Sequence, residues 1–239
     1  MAPPNFTMIR TGKILANKNL TEDVFEIMVQ PTENFNFQAG QFVTFKIDDQ
    51  VPPCFRAYSI ASAPNTDPNF DICIKLVNKG RGSNWLQNLK PDDTVNFLGP
   101  NGKFTFTSPV DKKIIFVATG TGIAPFKAII EDELKKGNTQ TFHLIFGVRY
   151  IKDIFYQDFF EDLAKKHQNF TFDLTLSKPE NGDWSGKTGR VTDLLQKLEI
   201  DETNTEVYIC GLKDMINSVS EILKEKGLGE EMIHFEKYD

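Results

Sequence analysis

The chain has only three cysteines among its 239 residues, Cys54, Cys73 and Cys210, and they stand far apart. That spacing excludes a Cys-x-x-Cys metal or redox motif and the four-cysteine set of an iron–sulfur cluster. Histidine is equally scarce. His143, His167 and His234 have no metal-ligand spacing, so no metal is expected and all are read as structural. No apolar run approaches the roughly 20 residues that a membrane-spanning helix needs. The opening stretch carries Pro3, Pro4 and Asn5 and lacks the apolar core of a signal peptide. A basic surplus is absent too, the net charge being −6, which argues against nucleic acid. Repeats and low-complexity segments are not seen. The simplest expectation is a reduced, soluble, cytoplasmic protein.

What is present has the make-up of an ordinary globular protein, long enough for two modest domains. Residues 1–108 are neutral overall, whereas residues 109–239 carry the whole charge of −6. That asymmetry predicts two domains, 1–108 and 109–239. In the first, short segments rich in Val, Ile, Phe and Thr are divided by Pro, Gly, Asn and Asp clusters such as residues 64–68. They predict strands at 7–17, 24–29, 41–47, 56–62, 71–76 and 93–97, with a short helix at 83–89. The expected fold is a small antiparallel β-barrel. The second half alternates strands at 114–118, 141–148, 170–176, 206–210 and 232–235 with helices at 125–136, 156–167, 192–197 and 215–226. This predicts a doubly wound parallel α/β sheet, which binds ligands at the C-terminal ends of its strands.

Several clusters suit cofactor binding. The apolar run 114–118 suits a strand buried on both faces, followed by Thr119, Gly120, Thr121, Gly122 and then Pro125 in a first helical turn. A strand, a glycine turn and a helix N-terminus make a phosphate cradle, or equally a plain βα turn. It is not the dinucleotide fingerprint, since Pro125 stands where a third glycine belongs. Arg56-Ala57-Tyr58-Ser59 offers a fork for phosphate, a flat ring face and a hydroxyl donor, unless it is simply a surface strand. Gly80-Arg81-Gly82-Ser83 reads as a second cradle or a hairpin turn. Residues 99–104 read as a turn closing the barrel.

In order along the chain, Phe37 to Gln41, Arg56 to Ser59, Cys73-Ile74-Lys75, Gly80 to Ser83, Gly99 to Phe104, Gly120 to Pro125 and Cys210-Gly211-Leu212 resemble the motifs of the ferredoxin–NADP reductase family of flavoenzymes. The resemblance spans nearly the whole chain. It implies an N-terminal FAD barrel and a C-terminal NAD(P) domain. Arg56 would hold flavin phosphate. Tyr58 would lie against the flavin ring and Ser59 would hydrogen-bond near its hydride-accepting N5, with Ala57, between Arg56 and Tyr58, also counted as cofactor-binding. Cys73, Ile74 and Lys75 would pass their backbone beside it, and Gly80, Gly82 and Ser83 would bind the pyrophosphate. The turn from Thr119 to Pro125 would take the nicotinamide dinucleotide, Thr121 facing both cofactors. Cys210 would sit over the nicotinamide, Gly211 and Leu212 shaping its pocket. Ser59, Cys210 and Glu236 are the catalytic candidates. The chain departs from members that end on a flavin-stacking aromatic residue, because Tyr238 is penultimate here.

Arg149, Ser177, Lys178, Lys187 and Arg190 follow the second and third strands of the α/β half. In NADPH-using members a serine and basic residues there bind the 2′-phosphate, so NADPH is expected, with NADH possible. With no ferredoxin domain of its own, the chain is expected to pass electrons to a separate ferredoxin, flavodoxin or oxygenase component. The alternatives are an NAD(P)H:flavin reductase and a non-catalytic flavin-binding electron-transfer subunit. Lys75, Lys79, Arg81 and Lys103 are the candidate cations for docking a carrier on the barrel.

Overall fold

Alternation of apolar and polar residues sets the first half of the fold. In the computed structural model, residues 9–48, 51–64, 67–180 and 184–238 are described. Thr7 and Met8 of the first expected strand, and Asn65 and Thr66 of the expected turn, lie outside them. The chain divides into two compact units, 1–105 with 127–129 and 106–126 with 130–239.

The first unit holds β1 (Arg10–Asn19), β2 (Val24–Pro31), β3 (Phe42–Ile47), β4 (Cys54–Ser59), β5 (Phe70–Lys75), α1 (Arg81–Gln87) and β6 (Thr94–Asn101). The strands form one antiparallel sheet in the order β4-β3-β6-β1-β2-β5. In β3, Val43, Phe45 and Ile47 point inward and their neighbours do not, the period of two that a half-buried strand requires. The inward side chains enclose a phenylalanine cluster in which Phe35 meets Phe97 edge-on at 5.5 Å and Phe70 at 5.0 Å. Burying each such ring contributes roughly 1.5–3 kcal/mol. One expectation needs correction. Strand β6 runs on through Gly99 and Pro100, with Asn101 still paired to Phe42, so the stretch 99–104 is not a turn throughout. The Gly99 carbonyl accepts a hydrogen bond from Arg10 Nε at 3.1 Å, which draws that segment into the sheet.

The second unit holds β7 (Lys113–Thr119), α2 (Ala124–Lys135), β8 (Phe142–Val148), α3 (Gln157–Lys166), β9 (Phe170–Leu176), β10 (Lys187–Thr188), α4 (Val191–Lys197), β11 (Thr205–Leu212), α5 (Lys213–Glu225) and β12 (Ile233–Tyr238). The parallel sheet runs β10-β9-β8-β7-β11-β12. Ile114 to Ala118 of β7 are all buried, as the unbroken apolar run predicts for a central strand. The chain winds outward from β7 to β10, then returns to lay β11 on the other side of β7. The order therefore reverses between β7 and β11, where open α/β sheets bind ligands. Residues 120–123 form a single tight turn of 3₁₀ helix before α2.

Candidate functional site

In the barrel unit, strand periodicity puts Cys54, Arg56 and Tyr58 on one face of β4. That face meets the start of α1. A Cβ on Gly82 would lie 2.7 Å from Arg56 Cγ and 3.2 Å from the Tyr58 hydroxyl, so any larger residue would have to push these side chains aside. Arg56 and Ala57 are exposed, Tyr58 is half-buried, and Ser59 is buried at the strand end. Burial pushes the Tyr58 phenol up to about 12, with the Arg56 charge opposing, so it stays neutral and presents an uncharged ring. Among the described residues β4 and β5 are joined only just beyond β4, by the bridge Ile60–Ile72. The stretches Arg56 to Ser59 and Cys73 to Lys75 are therefore not zipped into one ladder. This suits a flat ring with backbone on either side.

The Ser83 hydroxyl is buried and accepts the Val77 N–H at 3.0 Å, which braces the loop whose Gly82 and Ser83 backbone faces this side. Two of the four candidate docking cations are engaged within the unit, Lys75 with Asp23 and Arg81 with Asp48. Neither acid carries a local sequence signal, because Asp48 is 33 residues from its partner.

In the α/β unit the reversal point gathers most of the remaining candidates. A Cβ on Gly122 would fall 2.3 Å from the Cys210 carbonyl oxygen, and one on Gly211 would fall 2.7 Å from Thr119 Oγ1. The turn after β7 and the end of β11 thus touch backbone to backbone. Gly120 is different. Its φ is +53° and a Cβ there would meet nothing within 4 Å, so open space lies over the turn. That space lies beside Thr119 and Thr121. Pro125 occupies the first turn of α2, where no N–H is needed.

Parallel pairing of β11 with β12 sets Cys210 opposite Glu236 and Leu212 opposite Tyr238. Cys210 is fully buried. Its thiol is pushed well above the usual range by burial, then by the Glu236 charge, against a hydrogen bond from Tyr238. It is therefore a neutral thiol, suited to packing and positioning and not to attack.

The cationic candidates separate into two groups. The Ser177 N–H donates to the Val148 carbonyl and the Lys178 N–H to the Arg149 carbonyl, at 3.0 and 2.9 Å, so Arg149, Ser177 and Lys178 share the ends of β8 and β9. The Gly189 N–H bonds the Leu176 carbonyl at 2.9 Å, bringing Arg190 to the same end. Arg149, Ser177, Lys178 and Arg190 are all exposed. Lys187 does not join them. Its ammonium pairs with Asp173 at 2.6 Å, and that carboxylate also meets His143 at 3.0 Å. His234 meets Glu206 at 3.2 Å. Among the described residues no group of three or more His, Cys, Asp or Glu side chains could hold a metal. Nor, among these described residues, is any helix long and apolar enough to cross a membrane.

Residues 12–106 match the family model described as an oxidoreductase FAD-binding domain, and residues 116–221 the one described as an oxidoreductase NAD-binding domain. The chain is 34% identical over 237 residues to ferredoxin–NADP reductase B of Sorangium cellulosum, spanning 95% of this chain and 97% of that protein. It is 27% identical over 226 residues to the reductase component of propane 2-monooxygenase of Rhodococcus jostii, spanning 92% of this chain but 60% of that one. Its fold is shared with a ferredoxin NADP+ reductase from Neisseria gonorrhoeae solved with bound FAD and NADP, at a TM-score of 0.82 and 23% identity over 96% of this chain and 98% of that one.

Proposed function

The chain belongs to the ferredoxin–NADP reductase family of FAD- and NAD(P)-binding oxidoreductases, and on that premise we propose that it moves electrons between NADPH and a one-electron carrier protein, a ferredoxin or flavodoxin. The observation that carries the reading is the reversal point of the parallel sheet. There an open glycine turn lies backbone to backbone with a strand end bearing a buried neutral thiol. We assign residues 1–108 to flavin binding and residues 109–239 to the nicotinamide dinucleotide.

When bound, the flavin would take up one hydride, two electrons with one proton, and release the electrons singly, chemistry that belongs to the cofactor. The protein's task is to bind and orient. Arg56 offers a charged fork to a flavin phosphate, and the backbone around Gly82 can approach it closely. Tyr58, kept neutral, supplies an aromatic face, and Ser59 a hydroxyl at the end of the same strand. Cys210 fills the strand end without carrying charge, with Glu236 opposite it in the ladder and Tyr238 two residues beyond. Gly211 and Leu212 bound the same end. Arg149, Ser177, Lys178 and Arg190 supply three positive charges and a hydroxyl, a set suited to a 2′-phosphate. This set favours NADPH over NADH. Cytoplasmic residence agrees with three free thiols.

The purified yellow protein is reduced with NADPH and with NADH, first against ferricyanide and then against ferredoxin or flavodoxin. The proposal requires preference for NADPH and turnover with the carrier. Loss of flavin on gel filtration together with turnover of free flavin would indicate a flavin reductase. Reduction of an oxygenase component alone would place the chain with oxygenase reductases. No flavin reduction by either nucleotide would mean a non-catalytic electron-transfer subunit.

A further inference from the structure

Strand β4 gives the flavin site a direction. Ser59, Tyr58 and Arg56 succeed one another back along it, from the expected ring end to the expected phosphate end. The next residue on the Arg56 and Tyr58 face is Cys54, about 7 Å beyond Arg56 at the rise of an extended strand. Cys54 is half-buried and lies within electrostatic reach of both Tyr58 and Arg81. Ile47 pairs with Cys54 in the β3–β4 ladder, so Asp48, the next residue, and its partner Arg81 lie at this end of β4, past Arg56.

Its guanidinium is fixed from several sides. Nε donates to Asp48 Oδ2 at 2.9 Å and Nη2 to Asp48 Oδ1 at 2.5 Å, while Nη1 reaches the Pro52 carbonyl at 3.5 Å. The side chains of Arg81 and Asp48 are 33% and 15% exposed, so the pair sits at a rim, neither sealed nor freely solvated. A two-pronged arginine–carboxylate contact holds the guanidinium plane in one orientation. Such a plane stacks on aromatic rings, and its charge is largely balanced by the partner. Beside it Val51 is 93% exposed, an apolar side chain on the same rim.

We propose that Asp48 and Arg81 form the adenylate end of the flavin site, Arg81 giving its guanidinium plane to the adenine ring and Asp48 holding that plane, so that the pair selects FAD over FMN. The inference rests on the reading that the barrel binds flavin. It gives Asp48 a positioning role and Arg81 a ligand-contacting one. A pair that merely strapped the end of β3 to α1 would affect both flavins alike, because it would shape the phosphate and ring regions that they share.

The test is an exchange experiment on the flavin-loaded full chain. Wild type, Asp48→Asn and Arg81→Lys are brought to equilibrium with mixtures of FAD and FMN, and the flavin that stays bound is identified by chromatography. Both variants should show FAD-over-FMN selectivity reduced about tenfold, the scale of one lost stacking contact. Arg81→Lys keeps the charge and loses the plane, so its fall in selectivity separates stacking from simple attraction. Thermal melting of the loaded proteins verifies that they are folded. Selectivity equal to wild type in both variants overturns the inference, whether total flavin retention falls or not. A wild type that retains neither flavin overturns the underlying flavin reading instead.

Discussion

Cys210 and Glu236 stand opposite one another in the parallel ladder of β11 and β12, with the Cys210 thiol fully buried. Together with the hydrogen bond from Tyr238, this fixes a small uncharged group at the sheet's reversal point. In Cys210→Ala, flavin reduction by NADPH should slow by about 10- to 100-fold, the scale for a misplaced reactant. Flavin content should not change, because Cys210 belongs to the other unit. Stopped-flow absorbance reads the first and the released flavin reads the second. An unaltered reduction rate would leave Cys210 as packing alone.

Ser177 shares its strand end with Arg149 and Lys178 through two backbone hydrogen bonds. Ser177→Asp should raise the KM for NADPH about 5- to 150-fold and leave that for NADH nearly unchanged, since only NADPH has a 2′-phosphate to lose a contact and meet repulsion. Steady-state kinetics with both nucleotides check this. Equal changes for the two would move the 2′-phosphate elsewhere.

Asp173 ties β9 to its neighbours, accepting from His143 on β8 and from Lys187 on β10. The His143 hydrogen bond, followed by the contacts of Lys187 and against the cost of burial, holds its carboxyl below the usual range. A carboxylate depressed in the folded state stabilises it above the unfolded value of about 3.9, and the benefit is lost as pH falls through the folded value. Asp173→Asn should therefore be less stable than wild type at pH 7, and the difference should close as pH drops below about 4. Denaturant melts across pH would show it. A deficit that is the same at every pH would mean that charge plays no part.

Gly82 and Gly122 should respond differently to alanine. At Gly82 the new methyl meets the Arg56 stem and the Tyr58 hydroxyl, side-chain groups that can shift. Gly82→Ala should fold and lose flavin on dilution. At Gly122 the methyl meets the Cys210 backbone, which cannot give way cheaply. Gly122→Ala should lower stability by roughly 1–3 kcal/mol, as overpacking does, with flavin retention preserved in the folded fraction. Urea melts and flavin release separate the two cases.

Local pattern made much of this legible. The unbroken run 114–118 announced a central strand, and the alternation in 42–47 announced a barrel strand. Long-range partners were not legible. Nothing near Arg81 points to Asp48, nothing near Lys187 points to Asp173, and so cations that look available are engaged. Local punctuation misled at Gly99 and Pro100, which read as a turn but lie in β6, where pairing across the sheet outweighs local preference. The glycines after β7 were legible as a tight turn, but what Gly122 must avoid is the protein's own β11 and not a ligand.

That contact bears on anyone who would exchange parts between relatives. The turn at residues 119–125 looks portable, a short cassette on a common scaffold. Yet Gly122 lies against the carbonyl of Cys210, and Gly211 against the hydroxyl of Thr119. Each segment is a mould for the other, although nearly ninety positions separate them in the chain. A graft of the turn alone brings half of a matched surface. The smallest transferable unit comprises both segments, and recombination crossovers should be tolerated only where they leave the two in the same parent.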